Sequence, residues 1–156
     1  MDCSSARCYP RTFSEDEFFD HTGATGLLHD FDYEKNLTIE SHVLAGIPVL
    51  AEQGYPAPLL DAIIGHADYF GLPRQTPLAK TLFAVDELCG LLTAVAYVRP
   101  TKSIAGIEFS SINKKFKDKA FARSVSREDI RLGAEEMGVD FQEHVMFVAR
   151  ALESVV

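Results

Sequence analysis

Cysteine is scarce in this chain, with Cys3, Cys8 and Cys89 the only three among 156 residues. So small and odd a set excludes a disulfide framework and points to a reducing compartment. Cys3 and Cys8 have no second pair to complete a zinc module, so no zinc site is expected there. Long apolar runs are missing as well. The stretch 78–98 comes closest, but Lys80, Asp86 and Glu87 interrupt it, and a membrane span needs roughly 18 predominantly apolar residues. The first 21 residues show no apolar segment before an acidic cluster, which does not fit a signal peptide. A cytoplasmic protein without a membrane partner is the expectation.

Positive charge is also lacking overall. The net charge of −8 disfavours a nucleic-acid polymer as partner. That balance is uneven, because residues 99–127 carry eight basic side chains against Glu108 and Asp118 and leave −14 for the remainder. A basic segment can hold an anionic ligand, although a solvated helix face is the more ordinary meaning. Strand-like alternation, internal repeats and low-complexity tracts are absent too.

What is present is helical periodicity in a chain long enough to bury a core as one domain. The expected class is an all-α, single-domain helical bundle over 14–156, preceded by an irregular segment 1–13. Thr38 is placed to cap a helix over 39–54, with Pro48 expected to kink it or displace its first turn and Gly54 to end it. Further helices are expected over 59–71, 76–99 (closing before Pro100), 110–122, 126–138 and 140–155. Thr76 with Pro77, Ser126 with its following acids, and Gly138 supply the boundary signals.

The chemistry gathers in "GLLHDFDYE", residues 26–34, where an apolar run ends in His29 and Asp30, with Asp32, Tyr33 and Glu34 behind them. A solvated loop after a helix would explain these residues, and so would a metal site. His42, His66 and Asp86 bear on the choice, since each lies among apolar residues at helical spacing. A carboxylate on such a stripe is costly to bury unless paired or bound to a cation. Together His29, Asp30, His42, His66 and Asp86 make a mixed nitrogen and oxygen donor set suited to a divalent transition metal or magnesium. Adjacent helical residues point about 100° apart, so His29 and Asp30 can straddle a groove and supply two donors at one depth. Asp32, Tyr33 and Glu34 are expected to shape the loop that follows, with support of the metal ligands from behind as the lesser alternative.

The ordered series "GLLHDFDYE", His42 in "SHVLAGIPVL", His66 in "AIIGHADYFG" and Asp86 in "LFAVDELCGL" resembles the HD superfamily of metal-dependent phosphohydrolases. The likeness runs over about residues 22–153 and is closest to small bacterial HD-domain proteins sharing the tail "RPTKSIAGIEFSSINKKFKDKAFARSVSREDI". It implies hydrolysis of a nucleotide or small phosphate ester with one or two divalent ions, among manganese, iron, nickel, cobalt, zinc and magnesium. His29, Asp30 and Asp86 match metal ligands, and His42 and His66 match positions that bind a second metal or contact the substrate phosphate. Asp30, His42 and His66 are thereby the expected catalytic residues, with Lys102, Lys115 and Lys119 as candidates to hold the rest of an anionic substrate. The family pattern begins with a further histidine on an earlier helix, whereas His21 is the sole histidine before the pair here. The bundle is therefore expected to lack its first helix and to cover the resulting groove by homodimerisation. A catalytically impaired module that binds a metal or phosphorylated ligand and acts by interaction is the competing reading.

Overall fold

The structure is a computed structural model, and it describes residues 15–35, 38 and 41–155, with side chains from residue 21 onward. Among the described residues there are seven α-helices and no strand. The all-helical expectation holds. The irregular segment expected over 1–13 lies outside the described residues. Packing groups the chain into two compact units, divided between Phe83 and Ala84.

The first unit contains α1 (Glu15–Leu28), α2 (Gly46–Glu52) and α3 (Ala57–His66). A 3₁₀ turn (Asp68–Phe70) and the start of α4 (Pro77–Val98) complete it. After α1 the backbone tightens. The His29 amide still reaches the Thr25 carbonyl, but Phe31, Tyr33 and Lys35 donate to Leu28, Asp30 and Asp32, three residues back. Consecutive turns of this kind carry the chain away from the helix axis just where the ionisable residues fall.

The helix expected over 39–54 is shorter than its periodicity implies. Residues 41–45 form turns, and Val43 takes a φ of 70° while only 1% exposed. Burial of its isopropyl group in the core with Leu50, Leu59 and Ile63 opposes the steric cost of a left-handed β-branched residue. Pro48 thus stands in the first turn of α2, where its missing N–H costs no helical hydrogen bond. At the other end Gly54 (φ 83°) is left-handed and the Tyr55 amide reaches back to the Leu50 carbonyl. That reversal brings the chain round to α3, which packs against both α1 and α2.

The second unit, from Ala84 on, holds the rest of α4 with α5 (Phe109–Lys117), α6 (Arg127–Met137) and α7 (Phe141–Leu152). Leu88, Leu91, Leu92, Ile104, Ile112 and Ile130 are fully buried in one continuous core. Boundary chemistry is as the sequence indicates. The Ser126 and Asp140 side chains accept from the amides of Asp129 and Glu143, and Gly138 is left-handed. By length and hydropathy α4 is the one described helix able to cross a bilayer, but half of its most apolar window is buried within the protein, as in a core helix.

Candidate metal centre

Three imidazoles of the first unit are oriented by the same device. His29 Nδ1 lies 2.9 Å from the Gly26 carbonyl, His66 Nδ1 lies 2.5 Å from the Ile63 carbonyl, and His42 Nδ1 lies 2.9 Å from Asp32 Oδ1. Each partner accepts hydrogen bonds and cannot donate them, so each Nδ1 carries the proton and donates. The remaining ring nitrogen of all three therefore bears a lone pair whenever the ring is neutral.

Those three Nε2 atoms converge on one carboxylate. His42 Nε2 is 3.2 Å and His66 Nε2 3.5 Å from Asp30 Oδ1, while His29 Nε2 is 3.4 Å from Asp30 Oδ2. A nitrogen lone pair facing a carboxylate oxygen is repulsive unless positive charge stands between them. Protonating every ring would supply it, but would crowd imidazolium ions whose centroids are 5.2 Å apart for His29 and His66 and 5.9 Å apart for His42 and His66. One divalent cation between the rings and the carboxylate supplies positive charge without that repulsion.

Three of these residues make a candidate metal-binding triad. Asp30, His42 and His66 each offer a ligand atom, and these atoms lie within 4.8 Å of one another. Ligands about 2.0–2.2 Å from one tetrahedral ion stand roughly 3.3–3.6 Å apart, close to the separations of His42 and His66 from Asp30. The His66 side chain is 6% and that of Asp30 51% exposed, so the site is anchored from within and open toward solvent. When those rings are protonated, the His29 and then the His66 imidazolium hold the Asp30 carboxyl below its ordinary range, against the opposing cost of desolvation.

Local packing explains why these groups meet. A Cβ on Gly46 would stand 2.6 Å from the Phe31 ring and 3.2 Å from Asp32 Cγ. Glycine there lets the loop after α1 lie close over the start of α2, which brings buried Asp32 within reach of His42. Carboxylate-to-imidazole hydrogen bonding of this kind fixes the ring and makes its free nitrogen a better ligand. Two exposed aromatic rings belong to the same surroundings. Tyr33 meets His42 edge-on at 5.2 Å. Half-exposed Tyr69 has its phenol pushed up, first by burial and then by the charges of Asp32 and Asp30.

The structure thus gathers Asp30, His42 and His66, with His29 at the other oxygen of Asp30. Asp86 falls in the second unit, where its charge helps raise the Glu87 carboxyl and the Cys89 thiol after burial has done so first. Lys102, Lys115 and Lys119 also lie in the second unit. There Lys102 donates to the Tyr97 carbonyl and Lys115 sits over the Phe121 ring. Much of the basic segment has structural work. Arg127 donates to the carbonyls of Phe116, Asp118, Phe121, Ala122 and Val125, and Arg99 to those of Ser103 and Ala105. The sequence favours loop shaping for Asp32 over a role in orienting a metal ligand, whereas the structure sets it on His42 Nδ1 through tertiary packing that no local pattern marks. Compared with protein-family models, curated proteins and solved structures, the chain matches none.

Proposed function

We propose that this protein is a divalent-metal-dependent phosphohydrolase acting on a nucleotide or small phosphate ester, as its resemblance to the HD superfamily implies. The observation that carries the reading is the convergence of three Nδ1-protonated imidazoles on the ionised carboxylate of Asp30. When bound, a divalent ion supplies Lewis acidity toward a phosphoryl oxygen and lowers the pKa of a water molecule. His42 and His66 would hold the ion through Nε2, and the two oxygens of Asp30 face different imidazoles, which suits a carboxylate placed among positive charges. Asp30, with one oxygen facing His42 and His66 and the other facing His29, would orient a water carried by the ion. The exposed Tyr33 ring, edge-on to His42, offers a surface on which a base could stack, which favours a nucleotide.

The decisive test pairs binding with turnover. Protein purified without added metal is analysed for its metal content and titrated with manganese, cobalt, nickel and magnesium, then assayed on nucleoside monophosphates and simple phosphomonoesters. Metal-dependent turnover that Asp30→Ala removes supports the proposal. Tight metal binding without turnover on any ester replaces it with a binding module, and failure to bind any divalent ion removes both.

A further inference from the structure

We infer that Arg74 is a positioning residue of the cation site, acting on His66 through the end of α3; this rests on the metal-binding reading above. Arg74 carries charge, yet its side chain is only 5% exposed. Its guanidinium lies 3.6 Å above the centroid of the Phe83 ring, a cation–π geometry that Phe83 supplies from α4. In that plane Nη1 donates to the Gly65 carbonyl at 3.0 Å and Nη2 to Asp68 Oδ1 at 2.9 Å. The two acceptors bracket His66, one residue before it and two after.

This placement matters because α3 ends at His66. The closing carbonyls of a helix lack internal partners, and a cation there satisfies one of them and complements the helix dipole. Beyond His66 the backbone turns extended at Ala67, then enters the 3₁₀ turn that ends on left-handed Gly71 (φ 62°). Without an external hold, a last turn followed by such a break frays. Fraying would swing His66 and loosen its Nδ1 bond to Ile63, the bond that aims Nε2 at Asp30. Gly65 belongs to the same arrangement, since a Cβ there would stand 3.3 Å from Arg74 Cγ. Lysine can supply the charge but not both in-plane donors, so the planar fork is the required feature.

The test uses cobalt(II) as probe, reading its affinity and visible ligand-field spectrum by titration of the full chain, alongside the thermal midpoint of the metal-free protein. Arg74→Met keeps an apolar contact with Phe83 and loses both donors; Arg74→Lys keeps one. Affinity is expected to fall about 10- to 100-fold in Arg74→Met, the usual cost of losing a group that orients a metal ligand, with Arg74→Lys between it and the parent. The visible band should shift as His66 loses its orientation. Asp68→Asn, at a half-exposed position that tolerates change, should weaken binding by a smaller factor and decides the matter should neither Arg74 variant fold. Parental affinity and an unchanged spectrum in the folded variants, even with a lowered thermal midpoint, would make Arg74 a structural residue only and overturn the inference. A parent protein that binds no cobalt would overturn the cation site itself, and this inference with it.

Discussion

The two compact units differ in what their side chains are for. From Ala84 onward, buried leucine and isoleucine form one continuous core, and α6 and α7 each begin with a side-chain cap. The site-bearing unit has a smaller core around Leu59 and Ile63, helices α2 and α3 without side-chain caps, and Val43 in a left-handed conformation. It also sets Asp32, His42 and His66, all largely buried, around Asp30. One unit maximises apolar burial and helix-end chemistry. The other gives up regularity to hold polar groups at fixed separations, as functional sites commonly do. Perturbations should therefore divide cleanly, with site substitutions moving ligand affinity and core substitutions moving stability.

The largest expected effect is at Asp30. Asp30→Asn removes the negative charge on which three imidazoles converge, and divalent-metal affinity should fall more than about 100-fold, since even a group that merely orients a ligand costs about 10- to 100-fold. Because the side chain is half exposed, the unfolding midpoint of the metal-free protein should hardly move. Calorimetric titration beside thermal unfolding separates the two quantities. A collapse of the fold would show that the cluster is a structural ion-pair network.

Leu91→Ala should show the reverse. Leu91 is completely buried in the second unit, and truncating such a leucine costs about 2–5 kcal/mol through lost transfer energy and the cavity left behind. Denaturant unfolding should report that loss while metal affinity in the folded protein stays at the parental value. Altered affinity would mean that the division of labour is wrong.

Asp32→Asn gives an intermediate effect and sharpens the account of His42. The amide can still accept from Nδ1, but it no longer carries the charge that strengthens the ring as a ligand. Affinity should fall about 10- to 100-fold with the fold intact. No change in affinity would leave Asp32 as a loop residue, the role its sequence context suggests.

That last point marks how far the sequence is legible. The all-helical class, the limits of α4, α6 and α7, and the caps at Thr76, Ser126 and Gly138 are written in local chemistry within a few residues. The gathering of Asp30, His42 and His66 could be anticipated because their order and apolar settings are visible along the chain. The turns at 41–45 could not, because the 3.6-residue pattern through Val43 and Ile47 is also satisfied by a β-branched residue turned left-handed into the core. Nor could the pairing of Asp32 with His42, or the hold of Arg74 on Gly65, since both depend on which surfaces pack together. Local rules place helix ends well. They do not say which polar side chain will orient another.

The smallest expected effect is a pH slope in the second unit. Buried His144 donates through Nε2 to the Ala84 carbonyl at 2.9 Å. Burial holds its imidazole below the ordinary value of 6.5, and the hydrogen bond to Ala84 only partly opposes this. Between the folded and ordinary values the unfolded chain binds the extra proton. Stability therefore rises with pH across that window and is lost as pH falls below 6.5. Glu87, half-buried and accepting from the Ser126 amide, titrates in the opposite sense. Burial raises its carboxyl above 4.5, so its contribution is lost as pH rises through the raised value. His144→Gln retains a donor for the Ala84 carbonyl and removes the titration. Thermal midpoints measured from pH 7 downward should fall less steeply in this variant than in the parent, by at most one proton's worth of slope. Parallel curves would mean that His144 is protonated as readily in the folded chain as in the unfolded one, and that its burial carries no penalty for charge.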